Sequence, residues 1–339
     1  MYCPRLKHFV RLEYDGSVGK CGHMKHGLGF QSFDELEKSK WLKGIKDKMA
    51  NDEWPEECTR CQQTEELNGT SVRTKSIDRH KILHPLQENY LVVGGILDNV
   101  CNSACQTCYS GASTKYGSLE SKDYPRYDNY PRFWELPQNR ILELDVNGGE
   151  PTASRNYRKI LSHLPKNVRI VRMNTNGSRM IPELESILKK RIMVIVTLSF
   201  DGVDDVHDYV RWPIKFKNYV KTVKAYKELQ KRFPLLKLNL WTTVSCLNVG
   251  NFSNILDFAL ENNLDHDYAF LDIPEALNVK WKNKFTTTAR NKLSKSSYKA
   301  CRDIAERIAN EDDNSEQLDL FIKRQDFMRK IDIKDYLNL

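Results

Sequence analysis

Six short apolar runs, separated by amphipathic stretches from about residue 90 onward, constrain the fold of this chain more than any other feature. They are 90–98 (YLVVGGILD), 141–147 (ILELDVN), 168–174 (VRIVRMN), 193–200 (MVIVTLSF), 236–244 (LKLNLWTTV) and 267–273 (DYAFLDI). Strands of this length alternating with helical stretches are the pattern of repeated βα units with a parallel sheet. The expected class is α/β, and six such units fit an open, partial (β/α)6 barrel better than a doubly wound sheet.

The flanks differ from this centre. Residues 1–85 are rich in Lys, Glu, Cys and Trp, with turn signals at Asp15-Gly16 and Asn68-Gly69 and little strand periodicity after the first hairpin. They are expected to form a small separate module, followed by the barrel at 86–280. Residues 281–339 are polar and helical in pattern, a C-terminal extension that packs on the barrel or on a partner. The crossover 214–233 places Phe216, Tyr219, Val223, Tyr226 and Leu229 at helical spacing with lysines opposite, which reads as a covering helix with a solvated face.

Composition narrows the function classes only a little. No apolar run approaches the roughly 18 residues of a membrane-spanning helix, and MYCPRLKHFVRLEYDG has no apolar signal-peptide core. No membrane partner and a cytoplasmic location are therefore expected. The net charge of +8 is spread along the chain, so it permits an acidic substrate or nucleic acid without arguing for either. Nine cysteines, at 3, 21, 58, 61, 101, 105, 108, 246 and 301, suit metal binding better than paired disulfides, since seven precede residue 110 and the count is odd.

Cys101, Cys105 and Cys108 directly follow the first run, so three thiolates share one loop at a strand's C-terminal end, the rim where (β/α) barrels place active sites. Spacing alone leaves iron–sulfur and zinc both open. The next three runs end on the same rim in Gly148-Gly149-Glu150-Pro151, Asn174-Thr175-Asn176-Gly177 and Ser199-Phe200-Asp201-Gly202. Glycines admit a ligand close to backbone, a carboxylate can hold an ammonium, and Ser, Thr and Asn can bond ribose hydroxyls.

C-x3-C-x2-C, GGEP, NTNG and SFDG in this order resemble the radical S-adenosylmethionine (SAM) superfamily over about residues 90–275. The resemblance implies a partial barrel of radical SAM type in which Cys101, Cys105 and Cys108 hold a [4Fe-4S] cluster whose open iron chelates SAM. It implies that Gly148, Gly149 and Glu150 clamp the methionine amino group, that Ser199 contacts the ribose and that Arg211 meets the carboxylate. The residue before the third cysteine is often large in this family and is Thr107 here, leaving Tyr109 as a substitute beside adenine. Asn174 and Thr175 point to opposite faces of their strand, and Thr175 is the one expected to reach the ligand.

Cys3, Cys21, Cys58 and Cys61 make a second set. Cysteine, strand, Asp-Gly turn, strand, cysteine, helix and C-x2-C resemble the SPASM module or its shorter twitch form, which implies one fully ligated auxiliary [4Fe-4S] cluster. Here it precedes the barrel, whereas the family usually carries it afterwards, and structural zinc uses the same four thiolates. Cys246 and Cys301 read as buried thiols without partners. The expected function is radical SAM oxidation or cross-linking of a peptide or protein side chain, served by an electron donor such as flavodoxin or ferredoxin. Alternatives are radical chemistry on a sugar, nucleotide or nucleic-acid component and, from another class, a non-catalytic zinc or iron–sulfur binding protein. Asp145, Asp272 and Glu275 are candidate bases.

Overall fold

The computed structural model describes residues 1–25, 27–83 and 88–337. One eight-stranded sheet in the order β2-β1-β3-β4-β5-β6-β7-β8 forms its centre. The strands are β1 (Phe9–Leu12), β2 (Val18–Gly19), β3 (Leu91–Ile96), β4 (Ile141–Asn147), β5 (Ile170–Thr175), β6 (Met193–Ser199), β7 (Leu236–Val244) and β8 (Asp265–Phe270). From β3 to β8 every neighbouring pair is parallel and consecutive in the chain. This is the open six-unit progression predicted by the apolar runs, with β2 and β8 left as edges.

The first hairpin, expected in a separate module, is built into this same sheet. β1 pairs in parallel with β3, and β2 returns antiparallel to β1 across the Asp15-Gly16 turn. The close approach of β1 explains a glycine: Gly95 has φ +91, and a Cβ there would lie 2.2 Å from the carbonyl oxygen of Leu12. Asn68-Gly69 proves to be a helix end, where Gly69 at φ +70 caps the helix Thr59–Asn68. The expected boundary at residue 85 lies outside the described residues.

Side chains alternate across the sheet, and the two faces differ in chemistry. One face buries Leu144, Val171, Met173, Val194, Val196, Leu198, Leu236, Leu238 and Leu240 in the main core. Against it the helix Phe216–Arg232 buries Tyr219, Val223, Tyr226 and Leu229, while Lys217, Lys221 and Lys224 remain exposed. The lysines thus form a solvated face. On the opposite face lie the cross-strand neighbours Asn174, Thr197 and Asn239, and beside them Ser199, Trp241 and Asp267. Asn174, Trp241 and Asp267 are exposed, so this polar face is open.

Both flanks are tied to the barrel. From the helix Val72–Leu83, Arg79 reaches buried Glu143 and lies 3.7 Å from Asp145, while Arg172 bonds the same Glu143 at 2.7 Å. The C-terminal extension is helical, with Lys284–Leu293, Lys299–Arg307 and Ser315–Arg329. Leu318 and Ile322 of the last helix pack with Tyr209, Val210, Cys246 and Leu247. Cys301 is buried in the main core, so Cys246 and Cys301 both behave as small apolar side chains. Among the described residues no helix is long and apolar enough to cross a membrane.

Candidate functional site

The loop carrying Cys101, Cys105 and Cys108 leaves the C-terminal end of β3 and is fastened on two sides. Its Ala104 and Gln106 N–H groups donate to the carbonyls of Trp212 and Val210, both at 2.8 Å. The Ser113 hydroxyl donates to Ser103 O at 2.6 Å. Ser103 Oγ lies 3.2 Å from Cys101 Sγ and 3.7 Å from Cys105 Sγ. Burial, then the neighbouring Cys105 and Cys101 thiols, push Cys108 up to about 12, and burial also raises Cys101. The Cys101 and Cys108 thiols therefore resist ionising unless positive charge joins them, the condition under which a metal centre binds. Among the described residues no three His, Cys, Asp or Glu side chains form a ready-made site for a single metal ion.

The turn after β4 presses against the start of this loop. Gly149 has φ +57, and a Cβ there would lie 2.4 Å from Val100 O, so only glycine permits the contact. Gly148 adopts φ +90 beside Ile96 and Asp98. Glu150 is buried, and its N–H donates to Val100 O at 2.8 Å. Its carboxylate accepts from Thr152 N at 3.1 Å, Thr152 Oγ1 at 2.8 Å, Thr175 Oγ1 at 2.8 Å and Asn176 N at 2.7 Å. Burial nonetheless raises its pKa.

This arrangement sets Asn174 and Thr175 in different surroundings. Thr175 is buried with its hydroxyl committed to Glu150, whereas Asn174 is the exposed residue on the open polar face. Period-two alternation required one of the pair to face outward, but burial against the core claimed Thr175. Asn176 then couples this turn to the cysteine loop, donating to Asn102 Oδ1 at 2.7 Å and to Ser103 Oγ at 3.3 Å.

Arg211 is largely enclosed beside the loop and bonds Asp201 Oδ2 at 2.9 Å, while Asp201 Oδ1 accepts from Thr243 N at 2.8 Å. Its Nε has no partner among the described residues. Burial opposes its charge, but Cys105 and Asp201 outweigh this and raise its pKa. Nearby His207 is enclosed by Phe200, Phe216 and Tyr219. Burial, then the Arg211 charge, lower its pKa from 6.5 to about 3. A depressed folded pKa means that this stability is complete above about 6.5 and is lost as the pH falls towards 3. Thermal unfolding should accordingly show a lower midpoint at pH 4 than at pH 7, with His207→Phe losing less over that interval than the parent chain.

Ser199 ends β6 on the open face, and Tyr109 is exposed with its hydroxyl donating to Tyr14 Oη of the first hairpin at 3.0 Å. Of the candidate bases, Asp145 faces Arg79, Glu275 pairs with Lys280 at 3.3 Å and Asp272 is exposed beyond β8. The other cysteine set converges: Cys3, Cys21, Cys58 and Cys61 line one cavity with Arg5, His23, Trp54 and Arg73. Burial, then Cys3, Cys61 and Cys21, raise Cys58 to about 12, and burial raises Cys3 to about 11. Two residues with no expected role also join the rim. Asp201 anchors Arg211, and Arg329 of the last helix reaches the carbonyls of Ala104 and Cys105.

Residues 96–242 match the family model described as the Radical SAM superfamily. Over 129 residues the chain is 26% identical to the mycofactocin maturase MftC of Mycolicibacterium smegmatis, covering 38% of this chain and 32% of that protein. Over 153 residues it is 27% identical to the antilisterial bacteriocin subtilosin biosynthesis protein AlbA of Bacillus subtilis, covering 43% and 33%. The matched stretch thus spans about a third of these curated relatives. Among solved structures, Streptococcus suis SuiB bound to S-adenosylmethionine aligns with a TM-score of 0.43 at 14% identity, covering 96% of this chain and 70% of that one.

Proposed function

We propose that this chain, which carries a radical SAM domain at residues 96–242, is an enzyme that cleaves SAM reductively and oxidises or cross-links a peptide or protein side chain. The observation that carries this reading is the joining of the three-cysteine loop to the GGE, NTNG and SFDG turns at one end of a parallel sheet. In this reading Cys101, Cys105 and Cys108 hold the [4Fe-4S] cluster implied by the domain. The crowded thiols and the unpartnered Nε of Arg211 fit an anionic ligand and a positively charged metal centre at that rim. When bound, cluster and SAM supply a 5′-deoxyadenosyl radical that abstracts hydrogen from a C–H bond.

The chain's own residues have distinct tasks. Gly148 and Gly149 bring backbone close to the loop, so a ligand amino group there meets carbonyl oxygens rather than side chains. Glu150 holds the β4 and β5 turns in place, and Arg211 offers a guanidinium to a carboxylate. Ser199 and Asn174 line the approach from the open polar face, and Tyr109 flanks the cysteines. Cys3, Cys21, Cys58 and Cys61 would hold an auxiliary cluster in a SPASM- or twitch-like module, accepting the second electron of an oxidation. A flavodoxin- or ferredoxin-type donor would supply the separate electron that reductive cleavage of SAM consumes. The peptide substrate is supported by the names of the relatives, a maturase and a bacteriocin biosynthesis protein.

The test is anaerobic reconstitution with iron and sulfide, followed by SAM, reductant and deuterated candidate peptides. Formation of 5′-deoxyadenosine carrying deuterium is expected, and intact SAM in the presence of a reduced cluster would refute the reading. Arg211→Lys retains the charge but loses the planar fork. It should weaken SAM binding about tenfold, equivalent to about 1.4 kcal/mol, with little change in melting temperature. An unchanged Kd in equilibrium dialysis would restrict Arg211 to its pairing with Asp201.

A further inference from the structure

The last helix, Ser315–Arg329, lies far from the cysteine loop in sequence yet places one buried cation against its backbone. Arg329 is 4% exposed. Its Nε and Nη2 donate to Ala104 O at 2.9 and 2.8 Å, and Nη2 also reaches Cys105 O at 3.3 Å. Nη1 donates to Gln325 O at 3.1 Å and to Gln325 Oε1. These acceptors are all neutral oxygens, so the direct hydrogen bonds orient the guanidinium without cancelling its charge.

The helix is secured on both sides of the loop. Gln325 donates to Tyr116 Oη at 2.8 Å on the helix Thr114–Glu120, which follows the cysteines. Tyr209 donates to Asp326 Oδ1 at 2.8 Å from the segment that accepts the loop's N–H groups. The loop therefore hangs between two anchors: its N–H groups point to Val210 and Trp212, and its carbonyls point to Arg329.

A buried cation solvated by neutral acceptors is costly unless an anion shares its surroundings. The Tyr116 and Tyr209 hydroxyls, the Asp326 carboxylate and the Cys105 thiol all lie within its electrostatic reach, and of these only Cys105 belongs to the cysteine loop. Resting on the radical SAM reading above, we propose that Arg329 is a positioning residue that fixes the Ala104–Cys105 backbone and sets a permanent positive charge beside the cluster, making it easier to reduce. The argument is electrostatic: one-electron reduction adds negative charge to a thiolate-ligated centre, and a fixed cation in a poorly solvated interior stabilises that charge.

The test uses the full chain, reconstituted anaerobically, as wild type, Arg329→Gln and Arg329→Lys, with reductive titration followed by electron paramagnetic resonance. Arg329→Gln should carry wild-type iron but favour the reduced cluster about tenfold less, a fall of about 59 mV for one electron. Arg329→Lys should keep most of the potential. Because lysine cannot fork across two carbonyls, its cluster-free form should show faster amide exchange at 104–106. Equal potentials in Arg329→Gln and wild type would overturn the electrostatic role, and wild-type exchange in Arg329→Lys would overturn the positioning role. Should Arg329→Gln not fold, the potential and exchange of Arg329→Lys decide: a potential far below wild type, or unaltered exchange, rejects the proposal. A wild-type chain that takes up no cluster would instead refute the radical SAM reading itself.

Discussion

Cys105→Ser is expected to bring 5′-deoxyadenosine formation to background and to lower the iron content from about eight to about four per chain. The reason lies in how the loop is held. Cys105 is the buried member of the three, flanked by Ala104 and Gln106, whose N–H groups are fixed to Trp212 and Val210. Serine keeps the shape but removes the soft thiolate that iron requires, and the anchored backbone cannot bring another donor into its place. Cys58→Ser should have the complementary effect. It removes one of four thiols lining the N-terminal cavity, so iron should again fall by about half, but SAM cleavage should persist while product formation is lost. Iron analysis paired with mass spectrometry of 5′-deoxyadenosine separates the two sets. If Cys105→Ser retains SAM cleavage, the loop is not the reactive centre; if Cys58→Ser leaves the iron unchanged, the N-terminal cavity holds no cluster.

The parts of this molecule legible from sequence are those encoded by local periodicity or by motif. The strands β3 to β8 follow the apolar runs to within about three residues, because burial on one face and crossover helices leave a signature in every unit. The helix Phe216–Arg232 buries the aromatic and aliphatic residues its spacing singles out, apart from the half-buried Phe216. What stayed hidden are pairings between distant segments. Nothing in FVRL announces that β1 will lie parallel to β3, since a short strand's partner is chosen by long-range packing. Arg329 sits in a polar helical stretch where an inward arginine is indistinguishable from a solvated one. The surroundings of Thr175 are hidden for a related reason: alternation separates the two faces of a strand but does not say which is packed, and here the Thr175 hydroxyl bonds Glu150.

That same carboxylate carries the second large effect. Glu150 lies between two readings: a direct clamp on the amino group of SAM, implied by the family motif, and an internal strut, indicated by its donors. Four protein donors point at its two oxygens, three at Oε1 and one, Asn176 N, at Oε2. Glu150→Gln can keep the oxygen where three donors meet, but it then turns an amide N–H₂ towards Asn176 N, leaving a buried donor opposed by another donor. A loss of about 1–3 kcal/mol is expected. Glu150→Leu abandons all four donors and should cost roughly 3–5 kcal/mol, enough to lower the melting temperature severely and to free Asn176 from the cysteine loop. Chemical denaturation of the cluster-free chain measures this without any ligand present. The strut predicts the order parent, Gln, Leu in stability. The clamp predicts near-equal stabilities with SAM affinity lost in both variants, and that outcome would require the four internal bonds to contribute almost nothing.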